Sequence, residues 1–440
     1  MTDTAGVASP ITLDELATIR REYRAASLLP KRAYHDPAIF DWERQHVLRR
    51  DWVMVAREED VPEPGTYTLV DIDGENIIIV RGRDEVLRAF FNVCRHRGTA
   101  VAEEACGKVV RFQCPYHAWI YDLEGNLVRA KHTEDLDEFS FEQFGLAPIR
   151  LDTWQGFIFL NLDPDAAPLA SQLGDLVDHW SRFDFTSLRS AKRVEYEVDA
   201  NWKFIAENYS ECYHCPGVHP QLNKLTPYDL GGDFDPNGAW QGGWNELVDT
   251  AETMSMGAEA GHGSANGRPS MCGITPLDER RIYYFVLWPM AFLSIHPDYL
   301  LVHRLVPHGP DRTTIVCHWL FEADTIAAPG FDPSDAVAFW DLTNQQDWHV
   351  CELQQQGTRS SSWVAGRYSN QEASVHAFDQ MIADRYAGET AWSQRIVRER
   401  YDVPPPKHAG GHDATDDIDA AGPAATSART TARTKAAAPR

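Results

Sequence analysis

The chain has 440 residues, 43% of them hydrophobic and 24% charged, and its formal net charge at pH 7 is −24. This length exceeds one typical hydrophobic core, so we expect two domains or one large domain with an insertion. The excess of negative charge argues against binding to nucleic acid or to an anionic membrane, because both interactions depend on clustered Lys and Arg. Small molecules and other proteins remain as the expected partners.

The sequence favours a cytoplasmic location. It has no apolar run of the roughly 18 residues that a membrane-spanning helix needs. Residues 1–10 lack the basic stretch and the apolar core of a secretory signal. The eight cysteines are scattered, without the density of a disulfide-stapled secreted domain. We therefore expect free thiols that are available to bind metal.

Short β-type segments separated by turn residues fill the region from about residue 71 to residue 162. They are Asn76–Arg81, Val86–Phe91, Val109–Gln113, Trp119–Leu123 and Phe157–Leu162. Turn signals such as Asp73-Gly74 and Glu124-Gly125-Asn126 separate them. This pattern predicts a small antiparallel sandwich or barrel, and we assign residues 51–165 to this all-β domain.

Residues 166–403 combine helical and strand-like patterns. The predicted helices are Leu169–Trp180, a helix that Asn201 caps and that runs through Tyr209 to His214, Pro333–Gly357 and Asn370–Tyr386. The predicted strands are Arg281–Trp288, Phe292–His296, Tyr299–Val306 and Thr313–Phe321. A sheet with long helices against it is an α+β arrangement. The segment Met254–Ser270, rich in Gly, Ser and Ala, predicts a mobile loop or lid.

Two further segments flank these domains. Residues 1–50 are expected to form a helical segment that packs on the second domain. Residues 404–440 consist largely of Ala, Thr, Pro, Gly and Asp, which cannot bury enough apolar surface to order a chain. We therefore predict a disordered tail there.

Two short motifs each supply one thiolate and one imidazole. Cys94-x-His96 is followed by Cys114-x-x-His117, and both lie at the ends of predicted strands. A structural zinc site is the alternative, but common zinc fingers pair Cys with Cys and His with His on each arm. In a Rieske centre one iron takes both thiolates and the other takes both imidazoles, which requires mixed arms. The pattern therefore predicts a Rieske [2Fe-2S] cluster.

A second candidate site lies at His214 and His219. Five residues turn an α-helix through about 500°, so the two side chains do not share a face of a regular helix. Pro216 and Gly217 are expected to end the helix after His214 and to turn the chain back, so that both imidazoles meet at one metal. Two imidazoles and one carboxylate bind oxygen-activating ferrous iron. The carboxylate must come from elsewhere, and in isolation a His pair at this spacing is weak evidence.

Four strings resemble the α subunit of Rieske ring-hydroxylating and demethylating oxygenases, over about residues 35 to 390. They are C-x-H-x17-C-x-x-H, Asn201-Trp202-Lys203, the segment from Glu207 to Pro220, and Asn344-Gln345-Gln346-Asp347-Trp348. The glycine betaine and carnitine monooxygenase branch is more similar still, with a similar E-C-Y-H-C string and a segment similar to Ile295–Tyr299. The resemblance implies an all-β Rieske domain, a helix-grip catalytic domain with mononuclear Fe(II), and a separate ferredoxin or flavin reductase as the electron donor.

The resemblance also implies a third iron ligand. In that family the aspartate at the position of Asp347 completes the iron site, so we expect Asp347 to bind the metal. Asp341, earlier on the same predicted helix, is the fallback. From the residues alone, a solvated carboxylate on a polar helix face is the more common outcome for either position.

A route between the two metal sites is implied in the same way. Glu211 is expected to link His214 to His117 of a neighbouring subunit in a head-to-tail homotrimer, since a heterologous contact of this kind closes into a ring. A surface carboxylate is the alternative for Glu211. Asn208 is expected to lie near the iron as a supporting group.

The leading functional hypothesis is monooxygenation of a small quaternary ammonium compound or a similar amine. Hydroxylation of an N-methyl carbon would give a hemiaminal that breaks down to formaldehyde and a demethylated amine. Aromatic residues of the second domain are candidates for a cage around the cation: Trp240, Trp244, Tyr283, Tyr284, Trp288 and Trp363. The same residues suit an apolar pocket, so an aromatic-ring-hydroxylating dioxygenase is the alternative. A non-catalytic Rieske electron carrier is the third hypothesis.

Overall fold

The computed structural model describes residues 9, 11–256 and 263–393, so the predicted tail at 404–440 lies outside the described residues. Three helices open the described chain: α1 Leu13–Ile19, α2 Arg32–His35 and α3 Pro37–Glu43. The side chain of Thr12 caps α1 by accepting a hydrogen bond from the Glu15 amide, and Asp36 caps α3 through the Ala38 amide. Among the described helices, none is long and apolar enough to cross a membrane.

A β-rich region with ten strands follows. They are β1 Val53–Arg57, β2 Thr66–Ile72, β3 Glu75–Arg81, β4 Leu87–Phe91, β5 Cys106–Lys108, β6 Phe112–Gln113, β7 Ile120–Tyr121, β8 Leu127–Arg129, β9 Pro148–Trp154 and β10 Phe157–Asn161. Seven of them form an antiparallel sheet in the order β1-β10-β9-β4-β3-β2-β5, and β6, β7 and β8 form a second sheet. The predicted all-β domain is confirmed, although β6 and β7 are shorter than predicted.

The second region is built on a seven-stranded antiparallel sheet. Its elements are α4 Leu169–Leu173, α5 Leu176–His179, β11 Leu188–Val198, α6 Trp202–Tyr209, α7 Cys215–Val218, α8 Pro220–Leu225, β12 Gly231–Asp233, β13 Trp240–Glu246, β14 Arg281–Leu287, β15 Ala291–Ile295, β16 Leu300–Gly309, β17 Arg312–Glu322, α9 Ala323–Ala327, α10 Ser334–Gly357 and α11 Ala373–Tyr386. The strand order is β11-β17-β16-β15-β14-β13-β12. The predicted α+β fold is confirmed, with β11, β12 and β13 added to the four strands that the sequence predicted.

The two faces of this sheet are covered by different helices. Alternating residues of β16 separate two cores, since Leu301 and Leu305 pack in one and Leu300 and Val302 in the other. The first core contains buried side chains of α1, α6, α10 and α11. The second contains side chains of α4 and α5. The long helices therefore lie together on one face, and this face carries the candidate iron site described below.

The string Asn201-Trp202-Lys203 anchors the start of α6. The Asn201 side chain caps the helix by accepting a hydrogen bond from the Lys203 amide at 3.0 Å. Lys203 Nζ lies 2.6 Å from Oε1 of Glu43 in α3, and both side chains are buried. The Trp202 indole N–H donates to Oε2 of Glu43 at 3.0 Å. A buried ion pair thus joins the N-terminal helices to α6.

The predicted helix Leu169–Trp180 is wrong as a single element. The chain forms α4 and α5 instead, with a break at Gly174, whose φ is +57°. A Cβ atom at Gly174 would lie 1.8 Å from the carbonyl oxygen of Asn237. Glycine is therefore required at this close approach of two backbones, and its left-handed conformation interrupts the helix.

The predicted mobile segment Met254–Ser270 is held in place at both ends. Met254 and Ser255 are fully buried. The Arg268 guanidinium lies 2.8 Å from a carboxylate oxygen of Asp298 and 2.8 Å from one of Asp335. This packing does not fit a lid that moves as a whole, and residues 257–262 lie outside the described residues.

Candidate metal centres

Cys94 and Cys114 each begin a tight loop of the same design. In each loop the residue four positions after the cysteine donates its amide back to the cysteine carbonyl, Gly98 to Cys94 at 3.0 Å and Ala118 to Cys114 at 3.1 Å. Both of these residues have positive φ, 78° at Gly98 and 56° at Ala118. The matching turns follow β4 and β6 and present two similar Cys–His arms.

The thiols and the imidazoles of these arms lie in different surroundings. Cys94 and Cys114 are each only 2% exposed, whereas His96 and His117 are exposed. The two imidazole rings meet at the surface nearly at right angles, with centroids 4.6 Å apart. The thiol pair is therefore inside and the imidazole pair outside, as two irons with different ligands require.

A single zinc ion fits these arms poorly. Tetrahedral zinc would bring its ligand atoms within roughly 3.8 Å of one another. No three of these four side chains, all of them in the described part of the chain, bring their donor atoms within 4.8 Å of one another. The wider spacing suits a two-iron cluster rather than one ion.

Tyr121 on β7 supports the inner pair and was not singled out from the sequence. Its hydroxyl oxygen accepts a hydrogen bond from the Arg95 amide at 3.0 Å and lies 3.3 Å from Cys94 Sγ. Burial raises the pKa of Tyr121 well above its usual value, so the hydroxyl stays protonated and donates to the sulfur. A hydrogen bond to a cluster sulfur is one of the terms that sets a Rieske potential.

The chain around His214 and His219 folds differently from the prediction. α6 already ends at Tyr209, and His214 is the N-cap of the separate short helix α7. Pro216 lies in the first turn of α7, where a proline costs no hydrogen bond. The prediction that Pro216 and Gly217 end a long helix is therefore wrong. The two imidazoles converge because His214 and His219 flank the single turn of α7.

His214, His219 and Asp347 bring their donor atoms together. Asp347 Oδ1 lies 2.7 Å from Nε2 of His219 and 3.3 Å from Nε2 of His214. The three donor atoms lie within 4.8 Å of one another, the one such group of His, Cys, Asp and Glu side chains among the residues described. This donor set of two imidazoles and one carboxylate suits ferrous iron.

The outer nitrogens of both imidazoles are held by side-chain oxygens. Oε1 of Glu211 lies 2.5 Å from His214 Nδ1, and Oε1 of Gln346 lies 2.8 Å from His219 Nδ1. Both Nδ1 atoms therefore donate outward, and both Nε2 atoms point toward Asp347, where a metal would bind. Glu211 makes this contact from the turn after α6, not from a helix that continues to His214. The sequence analysis gave Gln346 no role of its own. Its position next to the predicted ligand Asp347 could have identified it.

Gln346→Leu is expected to weaken iron binding by about 10- to 100-fold, because His219 would lose the acceptor that orients it. Iron affinity is measured by competition with a chelator, and the cluster absorbance should not change. Gln345→Leu is the matched control, since Gln345 donates to Asp341 rather than to a triad residue. Equal iron affinity in the two variants would contradict this prediction.

The electrostatics of the triad also suit a cation. Burial raises the pKa of Asp347, but hydrogen bonds from His214 and His219 outweigh it and lower the pKa to about 2. Burial lowers the pKa of His214, but hydrogen bonds to Asp347 and Glu211 outweigh it and raise the pKa well above its usual value. Carboxylates that stabilise a buried imidazolium in this way also stabilise a metal dication.

The fallback ligand Asp341 lies apart from the triad. Its Oδ1 accepts a hydrogen bond from the Tyr196 hydroxyl at 2.6 Å, and its Oδ2 accepts one from Gln345 at 2.8 Å. Both oxygens are therefore engaged away from the histidines. Asn208, the predicted supporting group, lines the cavity next to the triad.

This cavity lies between the helices and the sheet. Besides the triad, its lining includes residues of α6, α10, α11, β12, β13 and β14, among them Asn208, Tyr209, Asp233, Gln241, Tyr284, Trp340 and Ser374. Tyr209 is fixed by a hydrogen bond of 2.8 Å between its hydroxyl and Ser294 Oγ. The lining combines aromatic rings with carboxylates.

The predicted aromatic cage is only partly correct. Of its six residues, Tyr284 and Trp244 belong to the lining, and the other four do not. The Trp244 ring packs on Phe234, with centroids 5.3 Å apart, and both rings pack against the second core. The Arg281 guanidinium lies over the Trp244 ring. Tyr284, Trp288 and Trp363 all belong to or pack against the first core. Of these three, only Tyr284 lines the cavity, where Tyr209 and Trp340 join it.

Two carboxyl groups meet beneath α6. The Glu207 and Asp379 side chains hydrogen-bond to each other, and the hydroxyls of Tyr34 and Tyr368 donate to Glu207 at 2.7 Å and to Asp379 Oδ2 at 2.6 Å. Asp379 Oδ1 meets no N–H or O–H donor among the described residues. A hydrogen bond between two carboxyl groups needs a proton, so one of the pair is protonated. Burial raises the pKa of Asp379 to about 7.

Asp379→Asn is expected to stabilise the protein at pH 8 by roughly 1–3 kcal/mol, because its amide can donate to Glu207 without a titrating proton. The raised pKa means that the wild-type stability falls as pH rises from about 4 to 7. This fall should be smaller in the variant, and the free energies of unfolding of the two proteins should become equal near pH 4. Thermal unfolding across this pH range is the measurement, with the exposed Asp311→Asn as control. A less stable variant at pH 8 would contradict the shared proton.

Family models match both halves of the chain. The model of the Rieske [2Fe-2S] domain matches residues 51–140, and the model of the ring hydroxylating alpha subunit (catalytic domain) matches residues 185–388. The carnitine monooxygenase oxygenase subunit of Escherichia coli K12 is 35% identical over 345 residues, which are 76% of this chain and 85% of that protein. The chain belongs to the Rieske oxygenase α-subunit family. It is therefore an oxidoreductase with a Rieske [2Fe-2S] cluster and a mononuclear iron, and its family works with a reductase.

Other relatives agree with this assignment. The glycine betaine monooxygenase oxygenase subunit of Chromohalobacter salexigens is 29% identical over 388 residues, covering 81% of this chain and 85% of that protein. A solved quaternary ammonium Rieske monooxygenase with L-carnitine has a TM-score of 0.70 and 24% identity, covering 86% of this chain and 99% of that one. Naphthalene 1,2-dioxygenase from Rhodococcus sp. has a TM-score of 0.69 and 20% identity, with 86% and 97% covered. The two structures establish the fold of this Rieske oxygenase subunit.

Proposed function

We propose that this Rieske oxygenase subunit hydroxylates an N-methyl carbon of a small quaternary ammonium compound or amine and thereby demethylates it. The observation that carries the proposal is the lining of the cavity beside the triad. Tyr209, Tyr284 and Trp340 bring aromatic rings, Asp233 adds a carboxylate, and none of the described lining residues is Lys or Arg. Aromatic faces and carboxylates attract a quaternary cation, whereas an uncharged arene needs no carboxylate.

The relatives support the same substrate class. The proteins named above act on carnitine and glycine betaine, and choline monooxygenase of Beta vulgaris is 25% identical over 356 residues. All three compounds carry a trimethylammonium group. The position of this chain among them favours an amine over an arene.

We assign the two metal centres as follows. The cluster is held by Cys94, His96, Cys114 and His117, and the iron by His214, His219 and Asp347. When bound, the iron would supply the activation of O2. Glu211 and Gln346 keep the imidazole protons at Nδ1, and Asn208 lies beside the site. Tyr209 and Trp340 place aromatic rings in the cavity lining beside the site.

We further propose that the electron crosses between subunits of a head-to-tail homotrimer, from His117 of one copy to Glu211 of the next. His117 is exposed, and so are the neighbouring Tyr116 at 58% and, beside the triad, Tyr213 at 56%. Exposed aromatic residues at both centres suit a contact between two copies. The electrons reach the cluster from a separate ferredoxin or flavin reductase.

Glu211→Gln is expected to slow reoxidation of the reduced cluster by at least about 10-fold, with the iron content little changed, because the amide keeps an acceptor for His214 but loses the charge. Single-turnover spectroscopy of the cluster measures this rate. Mixed trimers of Cys94→Ser and His214→Ala chains should regain turnover, since each lacks a different centre. Inactive mixtures of these two variants would rule out transfer between subunits.

A substrate panel tests the proposed function. Quaternary amines and arenes are incubated with the loaded protein and a reconstituted reductase, and formaldehyde, cis-diol and substrate-dependent NADH use are measured. We expect formaldehyde from one or more quaternary amines, in step with NADH use. If no amine gave formaldehyde and an arene gave a cis-diol, the dioxygenase alternative would replace the proposal.

A further inference from the structure

Two cysteines stand on either side of the candidate iron ligand His214 and belong to neither metal centre. Cys212 lies two residues before this histidine and Cys215 directly after it. The cluster is assigned to Cys94 and Cys114, and the donor group of the iron triad contains no thiol. Cys212 and Cys215 both line the cavity beside the triad, and neither is in a disulfide. A C-x-x-C pair therefore opens on the cavity that receives O2.

A tight turn brings the two cysteines together. The Cys215 amide donates to the Cys212 carbonyl oxygen at 3.1 Å. A bond of this kind closes a β-turn, in which the first and last Cα atoms lie less than about 7 Å apart. Disulfides in proteins span Cα distances of about 4.4–6.8 Å. The two thiols also interact with each other by a hydrogen bond. The turn thus holds the pair within the range of a disulfide, with little need for the backbone to move.

The two thiols differ in their access to the cavity. Cys215 is only 2% exposed, whereas Cys212 is partly exposed. A small oxidant in the cavity therefore meets Cys212 first. The sulfenic acid formed on a cysteine can condense with a neighbouring thiol to a disulfide, which thiols reduce again, whereas further oxidation to a sulfinic acid is irreversible in most proteins. Cys215 is placed to make the first outcome faster than the second.

We propose that Cys212 and Cys215 form a site of reversible oxidation by hydrogen peroxide beside the iron. Reduction of O2 by two electrons and two protons gives hydrogen peroxide whenever no substrate is oxygenated, so the site lies where this oxidant would be released. The inference concerns the thiol pair and does not depend on the substrate class.

The reaction has two steps, and each releases one water. In the first, the Cys212 sulfur attacks one oxygen of hydrogen peroxide, the O–O bond breaks, and a sulfenic acid and water are formed. In the second, the Cys215 sulfur attacks the Cys212 sulfur and displaces hydroxide, which leaves as water with the thiol proton. The two thiols lose two electrons and two protons in total, and the peroxide is reduced to two waters. A dithiol reductant reverses the change by thiol–disulfide exchange.

Peptide mapping of the loaded full chain tests the proposal without turnover. The protein is treated with hydrogen peroxide in the absence of substrate, quenched with acid, alkylated at its remaining thiols and digested with trypsin. Cleavage after Lys203 and Lys224 releases residues 204–224 as one peptide, whose only cysteines are Cys212 and Cys215. We expect most of this peptide to lose both alkyl labels and to be lighter by two hydrogen atoms than the reduced peptide. Dithiothreitol before alkylation should restore both labels.

Variants assign separate roles to the two thiols. In Cys215→Ser the sulfenic acid on Cys212 has no neighbouring thiol, so Cys212 should be oxidised to a sulfinic acid that dithiothreitol does not reverse. In Cys212→Ser the buried Cys215 should remain mostly alkylated. Cys272→Ser is the matched control, because Cys272 is exposed and outside the cavity lining. The disulfide should form in this variant as in the wild type.

Three results would overturn the proposal. The first is a wild-type peptide that keeps both labels at a peroxide concentration that oxidises the exposed Cys272. The second is a sulfinic acid on Cys212 of the wild type in place of the disulfide. The third is a loss of labels that is the same in Cys215→Ser as in the wild type and is equally reversed by dithiothreitol.

Discussion

Asp347→Ala is expected to abolish turnover, with a loss of more than about 100-fold, and to lower the iron content from near three atoms per chain toward two. Asp347 supplies the carboxylate oxygen that lies between the two imidazoles, 2.7 Å from His219 and 3.3 Å from His214. Its loss should leave the [2Fe-2S] cluster intact, because the cluster residues belong to another domain. Iron analysis together with the visible absorbance of the cluster measures both effects.

Asp341→Ala is the matched control for this experiment. It removes a carboxylate from the same helix, but one that is bonded to Tyr196 and Gln345. Its iron content and turnover should stay close to those of the wild type. Loss of iron in Asp341→Ala and its retention in Asp347→Ala would overturn the assignment of the third ligand.

Glu43→Ala is expected to lower the free energy of unfolding by about 3–5 kcal/mol, because it leaves the ammonium group of Lys203 buried without its partner. The Trp202 N–H and the Tyr386 hydroxyl would lose the same acceptor. Burial lowers the pKa of Lys203 and the Glu43 carboxylate opposes this shift, so Lys203 should lose its proton more readily in the variant. Urea unfolding at pH 7 measures the change.

Two controls accompany Glu43→Ala. Glu63→Ala removes a carboxylate from an exposed ion pair with Lys108 and should leave the unfolding midpoint unchanged. The double replacement Glu43→Leu/Lys203→Met should recover much of the lost stability, since apolar side chains of similar volume need no partner. A single variant that unfolds like the wild type would show that the buried pair contributes nothing.

The sequence predicted best where the decisive signal is local. The two Cys–His arms and the capping of α6 by Asn201 depend on neighbours within a few residues. The path from Tyr209 to His214 was predicted wrongly, because apolar spacing does not reveal that α6 stops at Tyr209 and α7 begins after His214. The break at Gly174 was also missed, because it depends on the close approach of the Asn237 backbone, some sixty residues away.

The predicted aromatic cage was only partly correct for a similar reason, because the sequence does not show which side chains line the cavity. All six predicted residues are aromatic and lie in the correct domain, but a strand directs alternate side chains to opposite faces. Tyr284 faces the first core, whereas Tyr283 belongs to the second core. Two neighbouring strand residues therefore point to opposite faces of the sheet, and only one of them can face the cavity. Which one does so depends on which helices cover which face.

The sequence by itself determined the chemistry of this protein: two mixed Cys–His arms, a His pair, and one aspartate assigned by resemblance. The tertiary structure decided which groups support that chemistry. Tyr121 reaches Cys94, Gln346 reaches His219, and Tyr209 and Trp340 line the cavity together with Tyr284. The reason is physical, since ligand types are set by short motifs, whereas orientation, charge balance and cavity shape arise only when distant strands and helices pack together.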